Sequence, residues 1–384
     1  VIKAMKSFIS TFIFLFAALL ISSCKQNNAH SSATQSLEKN EIQYAKGLEL
    51  YKRKGYSILK ITHPWPGSTT SFTYILQEKN GVIPDSLKQY TRISVPIESV
   101  VVTSTTHIPA LELLGVENTL IGFPNTDFIS SPKTRKQIDA GKIKEVGTNE
   151  TLNTEILIDM APDAIVSFGL NNSNPTLDNL EKSGLKVLLN GDWNEQSPLG
   201  KAEWIKFFGA LYGLDAKAKT IFSTIEKEYQ TTLALAQKAQ QKPTVLSGAM
   251  YQDQWFVPQG ESWMALFLKE AQSNYLWADT KGTGSLSLPF ETILEKAQKA
   301  EFWIAPGDFS SLQEMNNSNP HYAKFKAFQN KKVYSYAIHK GAKGGILFFE
   351  WSSARPDWVL KDLIAIFHPE LVPQYTPHFF EKLN

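Results

Sequence analysis

Short apolar runs alternate with helix-period segments along most of this chain. Residues 100–103, 119–123, 164–168 and 185–189 are compact apolar runs of strand length, and residues 107–114, 153–160 and 175–183 between them carry helical periodicity. That alternation predicts a parallel or mixed sheet covered by helices on both faces. Upstream, residues 56–62 alternate apolar and polar as a half-exposed strand. Residues 71–76 can pair with them across a turn containing Pro64, Trp65, Pro66 and Gly67. Residues 201–212 read as one helix ended by Gly213. A long helix then follows from Asp215, its expected N-cap, through residues 216–240 to a stop at Pro243. Its apolar positions are Ala218, Ile221, Phe222, Ile225, Tyr229 and Leu233, and its length is roughly 37 Å. Beyond it the pattern restarts, with strands at 244–247, 302–305 and 332–336 and helices at 262–271, 290–298 and 356–367, Pro356 standing in the last helix's first turn. The pattern predicts two α/β lobes with one strut between them.

An internal repeat supports the two lobes. TLNTEILIDMAPDAIV, from Thr151, and SLPFETILEKAQKAEF, from Ser287, align without a gap at an offset of 136 residues. Each has a hydroxyl residue and Leu, two further residues, a Glu, an apolar helical stripe, Ala six residues after the Glu, and a turn into an apolar strand. The spacing is too long for a solenoid. It predicts that each lobe presents one carboxylate, Glu155 or Glu291, in the first turn of a helix. The helix dipole alone favours an acid there by roughly 0.3–1 kcal/mol, but it does not require matching frames.

Residues 1–24 read as a targeting segment rather than part of the fold. Lys3 and Lys6 precede a mostly apolar run, residues 8–21, too short for a comfortable membrane span, which ends Ile21-Ser22-Ser23-Cys24. Cys24 is the only cysteine, so the mature body has no internal disulfide, Cys-based zinc site or Cys nucleophile. Residues 25–42 are polar and read as a flexible tether. The net charge of +2, with both signs mixed, gives no argument for nucleic acid. Aromatics make up 12% of the chain, including nine Trp, and part of that set is expected to line a binding surface.

The Ile21–Cys24 sequence resembles the lipobox of bacterial lipoproteins. The order of lipobox, α/β lobe, single long helix and α/β lobe resembles the substrate-binding proteins of ABC importers for iron–siderophore complexes and cobalamin. Three segments carry that resemblance: SVVVTSTTHIPALELLGVENTLIGF, EVGTNETLNTEILIDMAPDAIVSF and RPDWVLKDLIAIFHPEL. The resemblance implies an α/β fold of two Rossmann-like lobes, residues 43–213 and 242–384, joined by a helix within 214–241, with a ligand cleft between the lobes. It implies lipidation of Cys24, a membrane anchor, and periplasmic placement in a Gram-negative bacterium. It also implies that Glu155 and Glu291 dock against Arg residues of an ABC permease dimer, a role in which charge sets orientation and encounter rate. The protein would bind a metal chelate, with siderophore, haem and cobalamin all fitting, and perform no chemistry. Because a stiff helix joins them, the lobes should hinge little on binding.

Ligands of such folds lie beyond the carboxyl ends of the strands. Those loops hold Ser104, Thr105, Thr106 and His107, then Phe168 and its neighbours to Asn171, then Asp192 and Trp193. The second lobe offers Tyr251, Trp255, Phe309, His339, Lys340, Trp351 and Arg355. Trp and Tyr suit the flat face of a macrocycle or catecholate, and Arg355 suits an anionic chelate. Each has a plainer reading. Trp193 and Trp255 can be lobe packing, Arg355 can pair with Glu350 or Asp357, His107 can cap its helix, and Phe348 and Phe349 read as core. If His107 and His339 face the cleft together they can ligate haem iron or cobalt axially. A bare zinc or manganese site would draw on the seven His, but paired His at short spacing are missing from the sequence. Nothing resembles a G-x-S-x-G elbow, Walker loop or G-x-G-x-x-G turn after a strand. A surface lipoprotein that captures a ligand without transporting it remains the other reading.

Overall fold

A computed structural model describes residues 39–384. The targeting segment, Cys24 and the tether up to residue 38 lie outside the described residues. Residues Asn40–Asn384 form one compact unit.

The described chain enters through β1 (Leu48–Arg53), β2 (Tyr56–Ile61), β3 (Phe72–Glu78) and β4 (Thr91–Val95), one sheet in that order. The expected hairpin is present as β2 and β3, antiparallel with Tyr56 opposite Gln77. The sequence reading missed its two outer strands: β1 pairs antiparallel with β2, and β4 runs parallel to β3.

The first lobe's sheet comprises β5 (Val100–Val102), β6 (Leu120–Phe123), β7 (Lys144–Glu145), β8 (Ala164–Ser167) and β9 (Val187–Leu189) in the order β7-β6-β5-β8-β9. Every pairing in it is parallel. All residues of β5, β8 and β9 are buried, as a parallel sheet covered on both faces requires. The second lobe contributes β10 (Thr244–Ser247), β11 (Ala249–Tyr251), β12 (Gln254–Pro258), β13 (Asn274–Tyr275), β14 (Ser285–Pro289), β15 (Phe302–Ile304), β16 (Val333–Ser335) and β17 (Glu381–Lys382). Its main sheet has the order β13-β10-β15-β16-β17, parallel except for the last strand. β11, β12 and β14 form a separate small sheet.

The order β6-β5-β8-β9 in one lobe matches β13-β10-β15-β16 in the other. The sequence repeat falls on equivalent places: the Glu155 helix (Thr154–Met160) leads into β8, and the Glu291 helix (Phe290–Ala297) leads into β15. Asn153 caps the first helix by accepting from the Ile156 N–H at 3.0 Å. The second starts from Pro289 with no side-chain cap.

The strut is the helix Asp215–Ala236, 22 residues and about 33 Å long. Ala218, Phe222, Ile225 and Tyr229 are buried along it as the periodicity predicts. It packs on the helices Ile205–Leu211 and Pro356–Phe367, one from each lobe. It ends before Pro243, because the chain turns at Lys238 and Ala239 onto the Leu235 and Ala236 carbonyls before entering β10. Asp215 is the first helical residue rather than the cap, which is Leu214.

Residues 201–212 are not one helix. They belong to two, Pro198–Glu203 and Ile205–Leu211, broken at Trp204. Around the break the side chains serve the N-terminal segment. The Glu203 carboxylate, fully buried, accepts the backbone N–H groups of Gln43, Tyr44 and Ala45 and the Lys206 ammonium. Glu195 accepts those of Lys46 and Gly47 together with the Trp204 indole N–H. Residues 43–47 are thereby joined to the first lobe by charge-assisted hydrogen bonds, the strong kind. Replacing Glu203 by Ala leaves three backbone donors and an ammonium without their acceptor. It should lower unfolding free energy by about 3 kcal/mol, read as a shifted urea midpoint with an unchanged slope.

Candidate ligand cleft

The two lobes meet along several elements, the helix Leu347–Trp351 packing on Thr105–His107 and Ile108–Leu114 among them, and charged side chains take part at two of the meeting points. At one, the Glu350 carboxylate, on the helix Leu347–Trp351, accepts the backbone N–H groups of Ser130 at 2.6 Å and Ser131 at 3.1 Å. Ser131 Oγ and Thr134 Oγ1 both donate to Glu112, each at 2.5 Å. Gly341 sits on Ser130 so closely that a Cβ there would lie 2.5 Å from the Ser130 Cα, so only glycine fits. At the other contact, the buried Lys201 ammonium donates to the carbonyls of Asp192 and Trp193 at 3.0 and 2.9 Å and lies 5.6 Å from the Trp263 ring of the second lobe. Burial lowers the Lys201 pKa, and Asp192 and Glu195 partly restore it.

Beside the first contact is a cavity of about 370 Å³ between the lobes. Ser130, Pro132 and Arg135 line it from one side and His339, Lys340 and Leu347 from the other. Arg135 donates to the Thr126 carbonyl at 2.8 Å and lies 3.5 Å from Asp139. Lys340 pairs with Asp308 at 2.6 Å, and His339 lies 3.6 Å from Glu381. The acids of these pairs are exposed, Asp308 at 64%. The Lys340 and His339 pairs are partly exposed on both sides and worth about 0–1 kcal/mol, so an incoming anion can replace their carboxylates at little cost, whereas the Arg135 side chain is 9% exposed.

Large apolar side chains stand exposed on the loops at these strand ends. They are Phe128 after β6, Leu170 after β8, Trp193 after β9, Tyr251 after β10, and Phe349 on the cross-lobe helix. Phe349 meets Tyr336 edge-on, with ring centroids 5.3 Å apart. A second cavity of about 370 Å³, wholly in the first lobe, is lined by Phe168, Leu170 and the amides of Asn149, Asn171 and Asn174.

The residues expected at the site separate into three groups. Trp193 (37% exposed), Tyr251 (69%) and His339 stand open to solvent on cleft-side loops, with Thr105 and Phe168 half-buried beside them. Trp351 and Arg355 are half-buried and engaged. Trp351 stacks on Trp358, while Arg355 grips Asp357 bidentately at 2.9 and 2.5 Å and lies 3.7 Å above the Trp358 ring. Arg355 is therefore committed to its neighbour, and its side chain is 20% exposed.

Two expectations are corrected by burial. Trp255 is fully enclosed in the second lobe's core, its ring centroid 5.0 Å from that of Trp303 and 5.5 Å from that of Phe325. It alternates inward along β12 while Phe256 turns out. His107 is also fully buried, packed on Phe208 at 5.5 Å with neither ring nitrogen hydrogen-bonded. Burial lowers its pKa, and it does not face the cleft with His339. Phe348 is core as expected, but Phe349 is 53% exposed. Arg135 and Phe128 were missed. Both lie in the segment after β6, whose Asp and Lys residues read as an ordinary surface helix; only the tertiary contact with residues 339–350 makes it a cleft wall.

Glu155 and Glu291 are exposed, each in the first turn of its helix, and neither carboxylate makes a hydrogen bond or ion pair among the described residues.

A family model described as periplasmic binding protein matches residues 100–337, both lobes and the strut. The chain belongs to this family. Among relatives, an uncharacterized lipoprotein of Methanocaldococcus jannaschii is 26% identical over 370 residues, covering 89% of this chain and 85% of its own length. A second lipoprotein of that organism is 24% identical, covering 90% of this chain and 88% of its own. Among solved structures, a periplasmic heme-binding protein from Pseudomonas aeruginosa is 19% identical with a TM-score of 0.56, covering 75% of this chain and 98% of its own. The triscatecholate siderophore-binding protein of Bacillus subtilis, complexed with ferri-bacillibactin, is 16% identical with a TM-score of 0.51, covering 71% and 94%. The two-lobed fold with its connecting helix is thus that of a periplasmic binding protein.

The Glu350 contact gives this protein a predicted pH response. Burial pushes the Glu350 pKa up to about 7, with Glu112 adding to the rise and the Ser130 and Ser131 N–H groups opposing it. The folded state therefore holds a proton that the unfolded state releases near pH 4.5, and stability falls as pH rises between those values. Burial raises Glu270 and Asp362 as well, so they tilt the curve the same way. Glu350→Gln should flatten the Glu350 part of that slope, measured as the difference between variant and parent melting temperatures from pH 4.5 to 7.5.

Proposed function

We propose that this protein is the substrate-binding component of an ABC importer, lipid-anchored through Cys24, and that it captures an anionic metal chelate between its lobes. The observation that carries the reading is the placement of Glu155 and Glu291. Two unpartnered exposed carboxylates occupy the same position in two lobes of matching topology, as docking to a permease dimer would require. A helix-dipole role alone gives no reason for both to stay free of partners.

The chelate class follows from the cleft. Arg135, Lys340 and His339 offer cationic hydrogen-bond donors that suit carboxylate, catecholate or propionate oxygens. Phe128, Trp193, Tyr251 and Phe349, exposed in the surroundings of the inter-lobe cavity rather than lining it, supply flat apolar faces. A ferric siderophore suits this mixture best, with haem and cobalamin next. The heme and siderophore ligands of the proteins with similar folds agree with this reading. A bare transition-metal ion would need several His and acids at one point, and among the described residues no group of three or more His, Cys, Asp or Glu is so placed. The names of the archaeal relatives, both lipoproteins, support the anchor. They give no support to a Gram-negative periplasm in particular, so the proposed location is the outer face of a cell membrane.

The test is uptake of a labelled ferric chelate by cells carrying the transporter, with the protein as parent or as Glu155→Ala/Glu291→Ala. The double variant should lose at least ten-fold in uptake while its affinity for the chelate stays within two-fold. Normal uptake by the double variant would instead favour a surface lipoprotein that captures ligand without docking. A fall in affinity would contradict the docking role.

A further inference from the structure

The solved structures of similar fold cover 68–75% of this chain while most of them are themselves covered almost entirely. The family match begins at residue 100, after β4. The β1–β4 sheet precedes the family match, and its attachment is directed at the ligand loops.

Residues 43–47 hang on Glu203 and Glu195, and Glu195 closes the loop that follows β9. Asn194 Nδ2 in that loop donates to the His63 carbonyl at 3.1 Å. Gly191 lies under the same carbonyl, where a Cβ would come within 3.1 Å of it. The Leu189 N–H at the end of β9 donates to the Tyr74 hydroxyl of β3 at 3.0 Å. One strand over, the Trp65 ring covers Gly169, just beyond β8, so that a Cβ on Gly169 would lie 2.6 Å from a ring carbon. Phe72 meets Trp65 edge-on at 6.1 Å and fixes its tilt. Gly169 stands between Phe168 and Leu170, which line the first-lobe cavity, and Gly191 stands two residues before the half-exposed Trp193. The β2–β3 loop therefore touches two of the three first-lobe loops that carry exposed apolar side chains, those after β8 and β9.

We propose that the loop between β2 and β3 is a built part of the ligand wall: Trp65 is a positioning residue that fixes Phe168 and Leu170 on either side of Gly169, the His63 carbonyl holds the neighbouring Trp193 loop, and Trp65 so sets which flat-faced chelates the first lobe accepts. This rests on the chelate-binding reading above. Without the ring, Gly169 loses the side chain that covers it, and the apolar faces on either side of it lose their spacing.

The experiment uses the full chain as parent, Trp65→Ala and Trp65→Phe. Each is titrated with haemin, a ferric tris-catecholate and cobalamin, and each is mapped by amide hydrogen exchange. The expected result has three parts. Trp65→Ala weakens the best chelate at least ten-fold and changes the ranking of the three. Exchange rises in residues 168–171 while β5, β8 and β10 stay as protected as in the parent. Trp65→Phe restores most of the affinity. Parent-like affinities and ranking in Trp65→Ala would overturn this proposal alone and leave chelate binding intact. Equal weakening of all three chelates together with a general rise in exchange would also overturn it, since the ring would then be plain structural packing. Failure of the parent to bind any of the three would overturn both the chelate reading and this one.

Discussion

A buried carboxylate holds the two lobes in register. The strut helix packs on a helix of each lobe, and Glu350 adds a directional join by reaching from the second lobe to two backbone N–H groups of the first, at Ser130 and Ser131. Burial of that carboxyl is costly, which its raised pKa records, and the two donors offset part of the cost. Glu112, gripping Ser131 and Thr134 from below, sets the segment that Glu350 reads.

The same device joins the N-terminal segment. Glu195 and Glu203 each collect consecutive backbone N–H groups from residues 43–47. Three buried acids thus make joins that an apolar contact would make less specifically, because backbone donors at fixed spacing accept a carboxylate in few orientations. The cleft that results has a cation on each wall, Arg135 facing His339 and Lys340. Arg135 and Lys340 have exposed acid partners, Asp139 and Asp308, so neither charge is uncompensated.

The lobes, the strut and the Glu155–Glu291 repeat were legible because they rest on periodicity and on local sequence that recurs. Pro356–Phe367 falls where its apolar stripe and first-turn proline put it. What was hidden depends on contacts between distant segments. Trp255 reads as a loop aromatic because β12 and β14 are short and polar-flanked, yet cross-strand pairing turns it into the core. His107 reads as a cap, but Ser104 already caps that turn, and the His ring goes inward against Phe208. The break at Trp204 leaves no local mark, since no Gly or Pro stands there; it follows from the demand of residues 43–47 for acceptors. Arg135 and Arg355 show the limit most plainly. Arg355 looks like an available cation in sequence and Arg135 was overlooked, and only the fold shows that Asp357 takes Arg355 while Arg135, held by the Thr126 carbonyl, lines the cavity.

The central claim is that an anionic chelate sits between the lobes on Arg135 and Lys340. Its most direct test is tryptophan-fluorescence titration of the purified protein with ferric siderophores, haemin and cobalamin, repeated on Arg135→Ala and Lys340→Ala, with Arg355→Ala as control. The account predicts saturable quenching by one chelate at micromolar concentration or below, at least ten-fold weaker in the first two variants and little changed in the third. Tight binding that survives loss of Arg135 and Lys340, or that disappears with Arg355 alone, would place the ligand elsewhere and contradict the account.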